Sequence, residues 1–227
     1  MQPYFFPYIG YFQLVQAVDK FIVYDNIQYT KKGWINRNRF LQNGKDVLFS
    51  VPLKKDSDFL DVRDREVSDG FRKDKLLNQI REAYRRSPYF EQVFSLIEKV
   101  VLEREANLFS YIHNSILKTC EYLAIDTEII VSSHLHIDHA RQNKDKVIAL
   151  CEYVGADVYI NAIGGQDLYS KEDFNVHGIE LKFLKTKPFE YKQFDNEFVP
   201  WLSIIDVMMF NSKETINRYI MNNYDLI

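Results

Sequence analysis

The sequence predicts an α/β protein with a parallel sheet interrupted by a helical insertion. Three observations support this. Strand-like and helix-like patterns alternate through roughly the first fifty residues and again through the last hundred. The runs Phe21-Ile22-Val23-Tyr24 and Glu128-Ile129-Ile130-Val131 are nearly continuous in apolar character, as in strands covered on both faces. Between these regions, residues 70–123 carry helical spacing, seen in Val93, Leu96, Ile97, Val100 and Val101. The 227 residues, 46% hydrophobic, are enough to close one large core, and we read 1–227 as a single α/β domain.

Taken in order, residues 11–20 predict a helix with Phe12, Val15 and Val18 on its apolar stripe and Leu14 beside it. Strand 21–24 follows. Asp25-Asn26-Ile27-Gln28 then turns the chain at the strand's C-terminal end, where open α/β sheets hold ligands. Residues 29–39 read as a loop. Asn43-Gly44 marks a turn before strand 45–52, with Phe40-Leu41 as its hairpin partner. Residues 54–69 are charged and read as a loop or edge strand. Pro88 breaks the helical insertion. Strand 127–132, helix 143–154 with Gly155 as its stop, and strand 156–160 come next. Gln166 to Tyr169 starts a short helix, 179–184 is a strand, and 201–210 and 213–221 are helices.

Composition excludes several classes. The net charge of −3 argues against a general nucleic-acid binder. No apolar run approaches the roughly 20 residues of a membrane span. The N-terminus lacks the basic start and apolar core of a signal peptide, so a cytoplasmic location is expected. Cys120 and Cys151 form no CxxC and read as buried free thiols.

Candidate chemistry concentrates in the first forty residues. The aromatic start Tyr4-Phe5-Phe6, Tyr8 and Tyr11 reads either as a plug on a core or as a ligand grip, with Gly10 allowing close approach before a helix. Lys31, Lys32, Arg37 and Arg39, with Trp34 and Asn36, supply cations, an indole and an amide suited to phosphate and sugar groups. Asp206 is a lone carboxylate among apolar residues, read as a buried anchor bonded to the first loop or as a charge near a helix N-terminus. Residues 134–139, His-Leu-His-Ile-Asp-His, match the H-x-H-x-D-H string of metallo-β-lactamase-like hydrolases. No second ligand cluster follows, so a polar loop is preferred to a zinc site on His134, His136 and His139.

The stretches MQPYFFPYIGYFQL, VDKFIVYDNIQYTKKGWINRNRF, KVIALCEYVGADVYINAIGGQDLY and PWLSIIDVMMFN together resemble the WbqC-like protein family, in order and over nearly the whole chain. The resemblance implies work in bacterial surface-polysaccharide biosynthesis, O-antigen among its products, on activated or amino sugars. The family pattern places a short apolar strand before QPYFFPY. Here Met1-Gln2-Pro3 leaves that strand missing or reduced to a stub. A second similarity is to nucleotidylyltransferase-like α/β enzymes such as pantothenate synthetase, whose first strand ends in an H-x-G-H turn entering a helix. Tyr8-Ile9-Gly10-Tyr11 occupies that place with tyrosines for both histidines. This likeness implies a Rossmann-like parallel sheet and a ligand-holding first loop.

Together these imply an enzyme on a nucleotide-linked amino sugar, transferring an acyl or aminoacyl group to the sugar amine. Asp25 is the expected general base. Tyr4, Tyr8, Gly10, Tyr11, Gln28, Lys31, Trp34, Asn36, Arg37, Arg39, Asn161, Gly164 and Gly165 are the expected substrate-binding residues. No cofactor is required by the sequence, and ATP or an acyl donor is compatible with it; a homo-oligomer is also compatible. The rival readings are a non-catalytic nucleotide-sugar-binding module in a glycan-assembly complex and a zinc-dependent hydrolase.

Overall fold

The first strand, β1 (Lys20–Val23), pairs in parallel with β4 (Glu128–Val131), Lys20 opposite Glu128 and Val23 opposite Val131. The structure is a computed structural model describing residues 1–227. On its other edge β1 meets only Met1. The Met1 ammonium donates to the Ile22 carbonyl at 2.7 Å, and the Tyr24 N–H donates to the Met1 carbonyl at 2.8 Å. Met1 is thus held against β1 by two backbone hydrogen bonds. Helix α1 (Ile9–Gln16) precedes β1 and is buried from Ile9 through Val15. It starts and stops earlier than the 11–20 span, because Ile9 continues its apolar surface and Ala17 closes it.

Strands β2 (Arg37–Gln42) and β3 (Lys45–Ser50) form an antiparallel hairpin. Asn43 and Gly44 both take positive φ, 53° and 73°, as a two-residue hairpin turn demands. Arg37, Asn38 and Arg39 are thus strand residues rather than loop. The helical insertion comprises α2 (Lys73–Tyr84), α3 (Phe90–Leu102) and α4 (Leu108–Leu123). Ser87-Pro88 breaks the first pair. Asn107 caps the third helix, its side chain accepting from the Ser110 N–H.

Helix α5 (Asn143–Val154) ends at Gly155, at φ 65°, whose N–H reaches the carbonyls of Cys151 and Glu152. Strand β5 (Val158–Ala162) runs parallel to β6 (Glu180–Thr186), with α6 (Lys171–Asn175) between them. Helices α7 (Ile204–Phe210) and α8 (Lys213–Asn222) follow, and β7 (Tyr224–Leu226) closes antiparallel on β6. Strand β7 is only three residues long, too short to carry a strand pattern, and it is an addition to the expected elements.

This is a mixed α/β architecture, but its parallel strands do not form one continuous sheet. β1 and β5 face each other unbonded across a cleft of about 460 Å³, lined by Leu14 and Val18 of α1 and its exit and by Val147, Leu150 and Cys151 of α5. The apolar interior divides accordingly. A core of 43 residues joins α1, the hairpin, the insertion and the last helices, while seven residues around β5, β6 and α5 form a separate cluster.

The first loop is sorted between these surroundings. Phe5 and Phe6 are fully buried. Phe6 sits at φ 45°, a left-handed conformation strained for a bulky residue. Its carbonyl accepts from Asn38 Nδ2 and from Ser203 Oγ, each at 2.7 Å. The plug reading therefore describes Phe5 and Phe6, while Tyr4 and Tyr8 remain partly open to solvent. Asp206 does not bond to this loop. It accepts from Tyr84, Tyr191 and Gln193.

Candidate functional site at the strand ends

Asp25 and Asn26 leave the C-terminal end of β1, and Ser132 and Ser133 leave that of the adjacent β4. Parallel pairing brings these four together. Ser132 Oγ lies 2.9 Å from Asp25 Oδ1 and 2.6 Å from Asn26 Oδ1, and the Ser133 N–H donates to Asp25 Oδ1 at 3.0 Å. Burial pushes the Asp25 carboxyl upward, but hydrogen bonds from Ser133 and Ser132 outweigh it and leave the pKa below the ordinary value. Asp25 is thus a buried carboxylate held ionised by donors rather than by a single ion pair. Its Oδ2 faces Arg63 Nη1 at 4.0 Å.

A second cation comes from α5. Lys146 Nζ donates to the Asn26 backbone carbonyl and side-chain oxygen, both at 3.2 Å, and lies 5.4 Å from the centre of the Tyr24 ring. Desolvation lowers its pKa, and the carboxylates of Asp61 and Asp25 partly restore it. His139 completes the wall. Its Nδ1 accepts from Asn26 Nδ2 and its Nε2 donates to the Leu135 carbonyl, each at 2.9 Å, so these partners fix the tautomer. His113 reaches the same region from α4. Its Nε2 is buried without a partner, and desolvation, with His134 nearby, lowers its pKa while Asp25 raises it. The insertion, which showed no chemistry in sequence, thus brings a half-buried histidine into the electrostatic reach of Asp25.

The histidines of the zinc alternative do not converge. His139 is committed to Asn26 and Leu135, His136 packs edge-on to Tyr153 at 6.5 Å, and no group of three or more His, Cys, Asp or Glu side chains is placed to hold an ion. The string instead serves to seat His139 beside Asn26.

The remaining expected residues are dispersed. Tyr11 is 2% exposed, packed on Phe12 and Phe21, and its ring cannot meet a ligand. Asn36 is a buried latch: it accepts from the Tyr29 hydroxyl and donates to the Val51 carbonyl. Gly10 lies under the Tyr8 ring, where a Cβ would clash with the ring; the glycine admits a neighbouring side chain rather than a phosphate. Gly165 likewise makes room for the Asn161 amide, which any Cβ there would meet, whereas Gly164 has open space. Asn161 lines the cleft between β1 and β5. Gln28 and Lys31 bond to Asp58. Trp34 is exposed in the loop before β2, with the guanidiniums of Arg37 and Arg39 at 5.5 and 5.3 Å from its ring. Arg37 donates to the Lys32 carbonyl, and Arg39 pairs with Asp46. Tyr4 bonds to Gln2. Asn26, Arg63, His113 and Lys146 are not among the expected site residues and His139 is expected only in the zinc alternative, although Ser132-Ser133 carries a visible signal as a hydroxyl pair ending a strand.

The fold and this cluster define a mixed α/β protein with a polar, doubly cationic site at parallel strand ends. The chain belongs to the WbqC-like protein family, whose pattern matches residues 2–218. It is 27% identical over 214 residues to the protein described as "Uncharacterized protein Rv1507c" of Mycobacterium tuberculosis, covering 93% of this chain and 91% of that one. No solved structure gives a significant match. No helix is long and apolar enough to cross a membrane.

Proposed function

We infer that the protein is an enzyme of bacterial surface-polysaccharide biosynthesis that acylates the amine of a nucleotide-linked amino sugar. The observation that carries this reading is Asp25, a carboxylate at the end of β1 with Arg63 at 4.0 Å and Lys146 on the adjoining Asn26. Two cations beside a carboxylate suit a substrate that presents phosphate and amine together. Family membership supplies the polysaccharide context. The nucleotidylyltransferase-like likeness supports nucleotide binding on the same sheet edge.

In this mechanism Lys146 and Arg63 bind the phosphate oxygens. The unprotonated sugar amine attacks an activated acyl carbonyl, the new C–N bond forms, and the donor's leaving group departs. The nitrogen becomes strongly acidic as the bond forms, so even a carboxylate with a depressed pKa can take its proton. Asp25 Oδ2 is the accepting atom, because Oδ1 is occupied by Ser132 and Ser133. That occupation also favours the second reading, a nucleotide-sugar-binding module in which Asp25 only braces the two strands.

The test is incubation with amino-sugar nucleotides, ATP and acyl or amino-acid donors, followed by mass analysis of the sugar. Product formation that is lost in Asp25→Asn, with sugar-nucleotide binding retained, supports the enzyme. Tight binding with no product under any donor overturns it in favour of the module.

A further inference from the structure

A second cavity, of about 360 Å³, lies between the N-terminus of α1, the end of β6 and the segment entering α7. That volume suits one small ring rather than an extended polymer. Its walls are aromatic. Tyr8 and Trp201 meet edge to face, centroids 6.1 Å apart at 64°, and Tyr191 and Phe198 form a second corner at 5.2 Å and 75°. These rings are held from behind. Gly10 leaves room for the Tyr8 ring, and the Tyr191 hydroxyl donates to buried Asp206 at 2.6 Å.

Trp201 is the outlier. It is 62% exposed, yet its backbone sits at φ 59°. A left-handed conformation costs a bulky residue free energy, and burial of so exposed a ring returns little of it. Such strain persists at sites where a side chain must be presented in one direction. The charge pattern narrows what Trp201 is presented to. Of the two charged residues lining the cavity, Lys187 is paired with Asp225 at 2.6 Å, while Glu190 has no ion-pair partner. The one uncompensated charge is therefore negative. It disfavours phosphate and favours a ligand with an ammonium or several hydroxyl donors.

We propose that this cavity binds the pyranose ring of an amino sugar, its C–H face on Trp201 and Tyr8 and its amine toward Glu190. A flat apolar face and a cationic substituent on one small ring match aromatic walls beside a lone carboxylate. The proposal rests on the function inferred above only for its class of ligand; an amine turned toward Glu190 is not the one that meets Asp25, so the cavity is a separate holding subsite, and binding there can be measured without any reaction.

The protein has two tryptophans, so Trp34→Phe leaves Trp201 as the sole indole reporter. Titration of that protein with glucosamine, glucose, n-butylamine and inorganic phosphate is followed by indole fluorescence. The expected result is a saturable change with glucosamine, weaker by about tenfold or more in Glu190→Gln. Because Trp201→Ala removes the reporter, its loss of glucosamine binding is read by calorimetry; the exposed site makes this variant fold as the parent does. No saturable response to glucosamine overturns the proposal. So does equal affinity for glucose, which removes the role of Glu190. Equal affinity for n-butylamine removes the role of ring stacking, and preference for phosphate reverses the charge assignment; either result also overturns it. Product formation without binding at this cavity sinks only this inference. Binding here without any product sinks only the enzymatic reading.

Discussion

The Tyr84 hydroxyl donates to Asp206 Oδ1 at 2.7 Å, joining residues 122 positions apart. The same hydroxyl accepts the Leu41 N–H at 2.8 Å, so one phenol links the hairpin, the helical insertion and α7. Tyr84→Phe keeps the ring but strands that N–H and removes one of three donors to a fully buried carboxylate. The expected loss is roughly 1–3 kcal/mol in a denaturant titration. A loss near zero would mean that water replaces the hydroxyl.

Ser132→Ala should move the acid limb of stability. Asp25 is depressed below its ordinary value because the bonds from Ser133 and Ser132 outweigh burial. A carboxyl depressed by folding contributes stability above its unfolded pKa, near 3.9, and loses it as pH falls through the folded one. Removing Ser132 Oγ raises the folded pKa, so the acid-unfolding midpoint shifts to higher pH. Carbon-detected NMR of the Asp25 carboxyl checks the same change at the atom concerned.

The amine at Met1 should give a different pH signature. Burial lowers its pKa from 8.0 to about 5, with Cys151 acting in the opposite direction. The unfolded chain then binds more protons between those values, so stability rises with pH across that window and is lost as pH falls through it. Acetylating Met1 keeps an N–H for the Ile22 carbonyl but removes the titration. Melting temperature of the acetylated chain should be flatter over this range than that of the free amine.

Trp201→Gly separates strain from function. Glycine tolerates φ 59° without the steric penalty, worth about 1–2 kcal/mol for other residues. The lost ring is mostly exposed. Calorimetry should find a melting temperature equal to or above the parent's, together with lost glucosamine binding. A clear drop would mean that contact with Tyr8 outweighs the strain.

Local chemistry was the legible part of this sequence. Asn43-Gly44 and Gly155 each announced a turn through a conformation that few residues adopt, and the apolar runs at β1 and β4 announced covered strands. Asp25 was legible from its place at a strand end. The partition of the first loop was not, because it depends on donors far away: Asn38 reaches Phe6 across 32 positions and Ser203 across 197. Nothing near Phe6 distinguishes it from Tyr8. Lys146 and His113 were hidden for a related reason. Each sits within a helix whose sequence looks like an ordinary half-solvated face, and only the packing of α5 and α4 against the strand ends gives them a role. The histidine string reads as a polar loop in preference to a zinc site, and the backbone sends its rings to different neighbours.

The divided interior gives the molecule two natural clocks. Cys151 belongs to the small cluster and lines the cleft, while Cys120 belongs to the large core. Burial pushes both thiols up, to about 11 and about 12, so neither reacts readily while covered. Alkylation must wait for each region to open. The rate at Cys151 then times the breathing of β5, β6 and α5, and the rate at Cys120 times the unravelling of everything else, in one unmodified chain.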